Sequence, residues 1–395
     1  MSDQWIETTL GEASFSIKRG KAPRYVDEGI LVLNQKCVRN ANSIDFSLAR
    51  RTDSSRPLPR HAQLQVGDVL INSTGRGTLG RAAEIRELPE PATADSHITI
   101  VRPDPERFVL GFAGLALSSR KFDLESLQTG STNQTELSAG TVAALAIVVP
   151  PLPVQKRVVE VIDAIDDQIV ALTAEANALE GVYRGGSSLL WRTAGGEEAA
   201  PRSLGDVMRL EVTRIPMREG TTYRLAGVLN AGQGLVDKNE FDGADTEYTA
   251  MNVLRENQVV MRKLTAWEGP ITVVPASFDG FVASSEFPTF VLASDVFPAW
   301  MKHVCRTPRL WAEMQSRVVG TVQRRKRLNP DQLLSVELPI PSRAEQEQAA
   351  EALDAIEEQV GVIRAEADAL SRARSRMLMG LLNQTLKIES TELEA

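Results

Sequence analysis

The chain repeats one helical segment, and this duplication limits the folds that it can adopt. The two copies cover residues 150–181 and 341–372, and a constant offset of 191 residues relates them. The offset places Gln155 on Gln346 and aligns acidic and apolar positions along the whole segment. We therefore predict a tandem of two units, each a globular stretch followed by a long helix.

Apolar residues in both copies are spaced as in a coiled coil. Alternating steps of four and three residues give the 3.5-residue period of a heptad seam. The first seam contains Val158, Ile162, Ile165, Ile169, Leu172, Ala176 and Leu179, and the second contains Ala349, Leu353, Ile356, Val360, Ile363, Ala367 and Leu370. Prolines precede both segments and indicate where each helix begins, because proline is tolerated only before or within the first helical turn.

Two apolar seams of equal length favour pairing with each other. Three heptads on each side would bury a strip of about 30 Å at 1.5 Å per residue. The alternative is that each helix packs on its own globular unit. The sequence leaves the orientation open, although a two-fold relation between the copies would make the helices antiparallel.

The regions around the helices contain short β-type runs separated by turn residues, which predicts two mixed α/β domains in an α+β chain. The predicted segments are a first domain 1–151, a helix 152–184, a linker 185–203, a second domain 204–342, a helix 343–384 and an acidic tail 385–395. Strands are expected at 29–33, 66–71, 97–101, 146–149, 223–229, 259–261, 271–274 and 289–292, and short helices at 108–118 and 300–318.

The amino-acid composition indicates the cellular compartment of the protein more than its function. The chain is 43% hydrophobic and 24% charged, as is ordinary for a soluble protein of two or three domains. Cys37 and Cys305 cannot form a disulfide framework, and no apolar run could span a bilayer, so we expect a cytoplasmic protein without a membrane partner. The histidines share no metal-ligand spacing with the cysteines, and no metal site is expected.

Charge is distributed unevenly along the chain. The net charge is −8, but the acidic excess lies in the helical segments and the tail, while the globular segments are balanced. Because screening acts within about 8–10 Å, a local basic face can still bind phosphates. The candidate contacts are Lys18, Arg19, Lys21 and Arg24 in the first domain, and Arg262, Lys263, Arg324, Arg325, Lys326 and Arg327 in the second. A solvated charge run is the ordinary alternative.

A glycine-rich loop in the first domain matches the pattern G-x-G-x-x-G at Gly75, Gly77 and Gly80. A dinucleotide site would need a helix that starts inside the motif, and the stretch before Pro89 is too short for a crossover helix. We interpret the motif as a tight loop that presents Arg76 and Arg81 to DNA, with a plain turn as the alternative.

Three polar residues follow the predicted strand 29–33. Asn34, Gln35 and Lys36 leave the strand and enter a loop, which is a suitable place for contacts with base edges. A polar turn explains the same residues equally well.

Together these residues resemble the specificity subunit of type I restriction–modification systems. The resemblance extends over nearly the whole chain and rests on LGE at 10–12, LNQK at 33–36, GDVL at 67–70, TGRGTLGR at 74–81, PPLP at 150–153, QKR at 155–157 and KRL at 326–328. The second unit departs from the first at 264–269, where LTAWEG replaces the glycine-rich loop.

The resemblance implies a non-catalytic subunit that reads a two-part target in double-stranded DNA. Its two recognition domains would sit on an antiparallel coiled coil with pseudo-two-fold symmetry. The helices would dock two methyltransferase subunits and, through them, restriction and translocase subunits. S-adenosylmethionine, ATP and Mg would belong to those partners, and this chain would hold no cofactor.

A protein-interaction scaffold is the competing interpretation. In that case two α/β modules on a coil would gather proteins without reading DNA. The basic runs favour the DNA reader, and the net acidity favours the scaffold. A nicotinamide-dependent enzyme is a more distant third.

Overall fold

The computed structural model describes residues 4–54, 58, 62–128, 136–319 and 326–386. The chain divides into two compact units. Unit 1 contains Met1–Leu172 and Ala365–Ala395, and unit 2 contains Thr173–Arg364. The division falls inside both long helices, so each unit includes part of each helix.

Unit 1 is built on two four-stranded sheets and a strand pair. Its strands are β1 (Ile6–Thr9), β2 (Ser14–Arg19), β3 (Tyr25–Val26), β4 (Ile30–Leu33), β5 (Arg50–Thr52), β6 (Val69–Asn72), β7 (Ala82–Glu84), β8 (Ala92–Ala94), β9 (Ile98–Pro103) and β10 (Ala146–Val149). Its helices are α1 (Phe112–Ser119), α2 (Lys121–Ser126), α3 (Ala139–Ala143) and the beginning of α4 (Leu152–Gly186). One sheet has the order β2-β9-β6-β7, the other has the order β3-β5-β4-β8, and β1 pairs with β10.

Unit 2 follows the same plan. Its strands are β11 (Pro201–Ser203), β12 (Met208–Leu210), β13 (Thr213–Pro216), β14 (Thr222–Val228), β15 (Leu235–Asp242), β16 (Ala250–Val253), β17 (Val259–Met261), β18 (Ile271–Val273), β19 (Val282–Ala283), β20 (Thr289–Leu292) and β21 (Glu337–Pro339). Its helices are α5 (Leu204–Val207), α6 (Pro298–Val304), α7 (Pro308–Arg317), α8 (Pro330–Leu334) and most of α9 (Arg343–Leu382). The sheets have the orders β12-β20-β17-β18 and β13-β16-β19-β14-β15, and β11 pairs with β21.

The internal repeat is visible strand by strand. The antiparallel sheet β2-β9-β6-β7 corresponds to β12-β20-β17-β18, and the pair β1-β10 corresponds to β11-β21. The sequence offset that relates the helices also relates the starts of α3 and α8 and of β10 and β21. The second sheet of each unit differs in strand number and order, so the units share a frame and diverge around it. The predicted mixed α/β fold with an internal tandem repeat is confirmed.

Apolar residues from the matched sheets form the main core of each unit. In unit 1, Val69 and Ile71 of β6 pack with Phe112 and Leu115 of α1. The corresponding core of unit 2 contains Val259 and Met261 of β17 and the fully buried Trp300 of α6. Burial of such side chains stabilises each by about 1.5–3 kcal/mol, which makes these cores the main source of stability.

The long helices run antiparallel within each unit. In unit 1, Asp166 Oδ2 of α4 lies 2.7 Å from Arg374 Nη2 of α9, and α4 residues Val158 and Ile162 share a core with Leu378 and Leu381. In unit 2, Glu180 of α4 pairs with Arg364 of α9 at 2.7 Å. In unit 1, lower residue numbers in α4 meet higher ones in α9, which fixes the antiparallel direction.

The predicted seam residues all turn away from solvent. Val158, Ile162, Leu172, Ala176, Ala349, Leu353, Val360, Ile363 and Ala367 are buried, and Ile165, Ile169, Leu179, Ile356 and Leu370 are half-buried. The first turns of the seams also belong to the cores of the globular units, with Val158 in unit 1 and Ala349 in unit 2. The two packing alternatives therefore coexist, because each helix contacts both its own unit and the other helix.

Two expectations about elements need correction, and the first long helix agrees with its prediction. The predicted helix 300–318 is two helices, α6 and α7, because Pro308 cannot continue the first and begins the second with Thr307 as its N-cap. The predicted linker 185–203 is partly core, since Leu190 and Trp191 are buried in unit 2. The first helix begins at the predicted Leu152 and extends to Gly186. No helix in the described part of the chain is long and apolar enough to cross a membrane.

A buried glutamine fixes the first turn of each long helix. Gln155 accepts a hydrogen bond from Val109 N (2.9 Å) and donates to Arg107 O (2.7 Å) and Pro150 O (2.8 Å). Its repeat partner Gln346 accepts from Phe297 N (2.8 Å) and donates to Asp295 O (3.3 Å) and Pro341 O (2.9 Å). Both side chains are fully buried, so one amide joins the helix to a neighbouring loop at the same place in each unit.

Replacing either glutamine should destabilise its own unit. Gln155→Leu and Gln346→Leu would each leave one backbone N–H and two carbonyl groups without partners, at a cost of about 2–4 kcal/mol. Chemical unfolding followed by circular dichroism measures the loss. The same substitution at Gln168, which is exposed on α4, is the matched control. Equal stability of Gln155→Leu and Gln168→Leu would refute the anchoring role.

Candidate nucleic-acid interface

Two loops occupy equivalent positions in the matched sheets. Residues 73–81 connect β6 to β7 in unit 1, and residues 262–270 connect β17 to β18 in unit 2. A backbone bond from the repeat-related leucine closes each loop: Leu137 N donates to Ser73 O (2.9 Å), and Leu328 N donates to Lys263 O (3.0 Å). The matched sheets therefore carry, at equivalent positions, two loops of different sequence.

The first loop is the glycine-rich motif. Gly75, Gly77 and Gly80 all have positive φ angles, of 98°, 77° and 79°, which other residues rarely adopt. Gly80 N donates to Asn72 O (2.8 Å), and this bond folds the loop back on its own strand. Strand β7, not a helix, follows the loop, so it lacks the helix N-terminus that a dinucleotide pyrophosphate requires.

The second loop is held by Arg262. Its Nη2 donates to Thr265 Oγ1 (2.6 Å) and lies 3.1 Å from Glu268 Oε2, and its Nε donates to Leu264 O (2.9 Å). A short 3-10 turn, Ala266–Glu268, forms the tip. Arg262 was a candidate DNA contact, and the structure gives its guanidinium an internal role in shaping the loop.

Buried polar atoms without partners gather at these two loops. Within the described residues, such side-chain atoms include Gln35 Oε1, Asn72 Oδ1 and Arg81 Nε beside loop 73–81, and Trp267 Nε1 and Glu286 Oε2 beside loop 262–270. Buried polar groups in folded proteins are nearly always hydrogen-bonded. The concentration of such atoms makes the two loops the candidate binding surfaces among the described residues.

A basic cleft lies next to the first loop's sheet. Lys18, Arg19, Lys21 and Thr93 line a cleft of about 400 Å³. Lys18 and Lys21 are exposed and have no side-chain partner among the described residues, and Arg24 is likewise exposed and unpaired there. Arg19 differs, because its guanidinium donates to Ser96 O (2.6 Å), Leu137 O (3.0 Å) and Glu136 Oε1 (2.6 Å).

The described part of the second basic run lies against the second loop. Thr265 N donates to Lys326 O (3.1 Å), and Arg327 Nη2 lies 3.1 Å from Glu286 Oε1. Lys263 Nζ is 3.9 Å from the same carboxyl group. Lys326 has no side-chain partner within the described residues, and Arg324 and Arg325 lie outside them. Four of the predicted basic residues in unit 2 are therefore brought together: Arg262, Lys263, Lys326 and Arg327.

The three polar residues after strand β4 differ in solvent exposure: Asn34 is buried, Gln35 is half-buried and Lys36 is exposed. Asn34 is 8% exposed, its Nδ2 donates to Leu48 O (2.9 Å), and its Oδ1 accepts from Lys36 N (2.8 Å), as in a polar turn. Gln35 lies beside the first loop, where Asn72 Nδ2 donates to Gln35 O (2.9 Å). Lys36 is exposed. Sequence reasoning missed Asn72, although a polar residue at the end of the otherwise apolar strand VLIN was a usable signal.

The two arginines of the first loop also differ in solvent exposure. Arg76 is exposed at the loop, whereas Arg81 is half-buried at its end. The structure therefore does not place both guanidinium groups on one exposed surface, as the sequence suggested. All candidate DNA contacts remain predictions, and those without internal partners are the better candidates.

His303 belongs to an ion-pair cluster in unit 2. Its Nε2 atom lies 3.0 Å from Asp354 Oδ1, and its Nδ1 atom lies 2.8 Å from the Tyr183 hydroxyl oxygen. Lys302 Nζ lies 2.6 Å from Asp354 Oδ1 and 2.9 Å from Glu357 Oε2. Lys302 and Arg306, which also pairs with Glu357, together neutralise the two carboxylates, so the cluster acts as a structural contact in unit 2.

A buried carboxyl group follows the first loop. Glu84 of β7 accepts hydrogen bonds from Gly111 N and Gly114 N of the α1 region, both at 2.8 Å. Burial raises the pKa of Glu84 to about 7, although these two bonds and Arg86 act in the opposite direction. Glu84 thereby couples the strand that ends the loop to the helix behind it.

Comparisons with known proteins give a family match for one segment and fold matches for the whole chain. Residues 60–180 match the family described as the Type I restriction modification DNA specificity domain. The S subunit of a type I restriction–modification system from M. genitalium superposes with a TM-score of 0.56 at 13% identity, over 96% of each chain. A structure from work on complex assembly and conformational transition of the type I R-M system gives 0.61 at 15% identity, over 96% of this chain and 97% of the other. No curated protein matches the sequence.

The family match covers residues 60–180, which is less than half of the chain, and the fold matches extend over nearly the whole chain. Residues 60–180 belong to the family of type I restriction modification DNA specificity domains, and the whole chain has the fold of the S subunits of those systems. The resemblance inferred from the sequence is confirmed.

The Glu84 carboxyl group should make the stability of unit 1 depend on pH. Its pKa is about 7 in the folded protein, against 4.5 for an ordinary glutamate. The stabilising contribution is therefore complete below pH 4.5 and is lost as the pH rises through 7. Between about pH 5 and about pH 8 the loss should reach about 2–3 kcal/mol.

Glu84→Gln removes this ionisation and preserves the shape of the side chain. Unfolding at both pH values should show a weaker pH dependence in Glu84→Gln than in the wild-type protein. Glu87→Gln, at an exposed position nearby, is the control and should retain the wild-type dependence. Identical pH profiles for wild type and Glu84→Gln would contradict the assignment.

Proposed function

We propose that this chain is the DNA-reading subunit of a type I restriction–modification complex, and that each unit reads one half of a two-part target. The observation that carries the proposal is the pair of equivalent loops at 73–81 and 262–270. They differ in sequence on a common frame, and unpaired buried polar atoms collect beside both. Polar groups at such a surface can pair with base edges in the major groove.

Phosphate contacts would orient each unit on the duplex. In unit 1 the exposed Lys18, Lys21 and Arg24 supply positive charge beside the cleft, and Arg76 extends the charge to the loop. In unit 2 Lys326 and Arg327 supply positive charge beside loop 262–270, and we assign Arg324 and Arg325 to the same role from the sequence. Such contacts supply affinity without sequence information, while the loops supply specificity.

The long helices would connect reading to methylation. Both helices carry exposed side chains, including the acidic residues Asp167, Glu175, Glu358 and Glu366, and these side chains are available to partners. We propose that two methyltransferase subunits dock there, one for each unit, and that restriction and translocase subunits join through them. S-adenosylmethionine, ATP and Mg would act on those partners, and this chain would contribute recognition without catalysis.

Neutralising the cleft should weaken DNA binding in a salt-dependent manner. Lys18→Ala combined with Lys21→Ala removes two phosphate contacts. The slope of log K against log salt concentration should fall by about 0.9 per contact, or by about 1.8 in total. Fluorescence anisotropy with a labelled duplex, at several salt concentrations and with the methyltransferase partner present, measures this slope.

The matched control removes the same charge elsewhere. Lys156→Ala combined with Lys238→Ala changes two exposed lysines outside the proposed surface and should leave the slope unchanged. If the cleft variant and the control variant bind DNA alike, the phosphate assignment is wrong. If the wild-type complex binds no DNA at any salt concentration, the scaffold interpretation replaces the DNA reader.

A further inference from the structure

A second basic pocket opens on unit 1 at the end of loop 73–81. It has a volume of about 410 Å³, and the cations that line it are Arg39, Arg81, Lys121 and Arg374. Among the described lining residues there is no aspartate and no glutamate. The pocket is distinct from the cleft at Lys18 and Lys21, and it is large enough for a small organic ligand.

Two of the four cations have no counter-ion. Arg374 forms a two-pronged ion pair with Asp166, with Nη2 and Oδ2 2.7 Å apart, and Lys121 Nζ lies 3.3 Å from Glu125 Oε1. The guanidinium groups of Arg39 and Arg81 have no hydrogen-bond or ion-pair partner in the described part of the chain. The pocket therefore holds an unneutralised charge of two.

Arg81 is the more informative of the two. Its Nε atom is buried and lacks an acceptor among the described residues, although a guanidinium group stays charged at all ordinary pH values. A partly buried charge without a partner is costly. An anion in the pocket would supply the counter-ion that the described residues do not give Arg81.

The fold holds Arg81 at this position. Gly80 has a φ angle of 79°, and a Cβ atom there would approach Lys121 O to 2.7 Å. Only glycine permits this close approach, which brings the end of the loop against the start of α2. Arg81 and Lys121 are thereby kept on the same wall of the pocket.

The rim of the pocket offers an apolar surface beside the cations. Phe122 is 78% exposed and Met379 is 49% exposed, and both line the pocket. A planar guanidinium group pairs with two oxygens of a phosphate, and an exposed aromatic ring stacks on a nucleobase. The combination matches a nucleotide better than it matches a simple anion.

We propose that this pocket binds a nucleotide, with its phosphate at Arg81 and Arg39 and its base against Phe122. The nucleotide is either free or part of a DNA strand, and both sources present the same phosphate chemistry. A free nucleotide here would go beyond the proposed function, whereas a nucleotide of a DNA strand would rest on that function, because Arg81 also adjoins loop 73–81.

Isothermal titration calorimetry of the full chain with 5′-AMP and with inorganic phosphate, at low ionic strength, tests the proposal. AMP should bind at one site and more tightly than phosphate. Arg81→Met should weaken both ligands about tenfold or more, as expected for the loss of paired charge-assisted hydrogen bonds. Phe122→Ala should weaken AMP and leave phosphate unchanged. Arg157→Met, at an exposed position on α4, is the control.

Arg39→Met is a second variant that controls for misfolding, because Arg39 is exposed and its loss should weaken binding without altering the unfolding curve.

Fluorescence anisotropy with a labelled duplex then distinguishes a free nucleotide from a nucleotide of a DNA strand. Weaker duplex binding by Arg81→Met assigns the phosphate to a DNA strand, and unchanged duplex binding assigns it to a free nucleotide. The proposal is overturned if AMP and phosphate do not bind, if both variants bind like wild type, or if only an oligoglutamate peptide binds, which would indicate an acidic protein partner.

Discussion

One buried amide at the start of each long helix supports the rest of the structure. Gln155 and Gln346 are the same residue of the repeat, and each satisfies three backbone groups from the helix start and a neighbouring loop. An apolar residue of similar size could fill the space but would leave those groups unpaired. The direction in which each helix leaves its unit is therefore fixed by polar geometry, and the apolar seam then determines how the helices pair.

The two units share the same antiparallel sheet and differ in the loops that the sheet carries. The antiparallel sheets have the same strand order, whereas the loops at 73–81 and 262–270 have different sequences and different internal support. Glycines with positive φ shape the first loop, and Arg262 shapes the second. Variation at one surface of a shared frame suits a protein whose two halves read different DNA sequences, as proposed above.

Patterns that depend on local chemistry could be predicted from the sequence. Prolines gave the start of α4 at Leu152, and β10 and β17 have their predicted bounds. Features that depend on distant contacts could not be predicted. Arg19 and Arg262 look like free cations in the sequence, yet their acceptors lie on other segments of the fold, as Ser96 O does for Arg19. The orphaned atoms of Gln35 and Asn72 likewise become visible only when the loop packs beside them.

We propose that the two units read separated halves of one target. Lengthening both helices by one matched heptad, inserted in α4 and α9, tests this claim most directly when methylated sites are mapped in cells that also carry the methyltransferase partner. Both half-site sequences should be retained, and the gap between them should become longer. Altered half-sites with an unchanged gap would contradict the proposal.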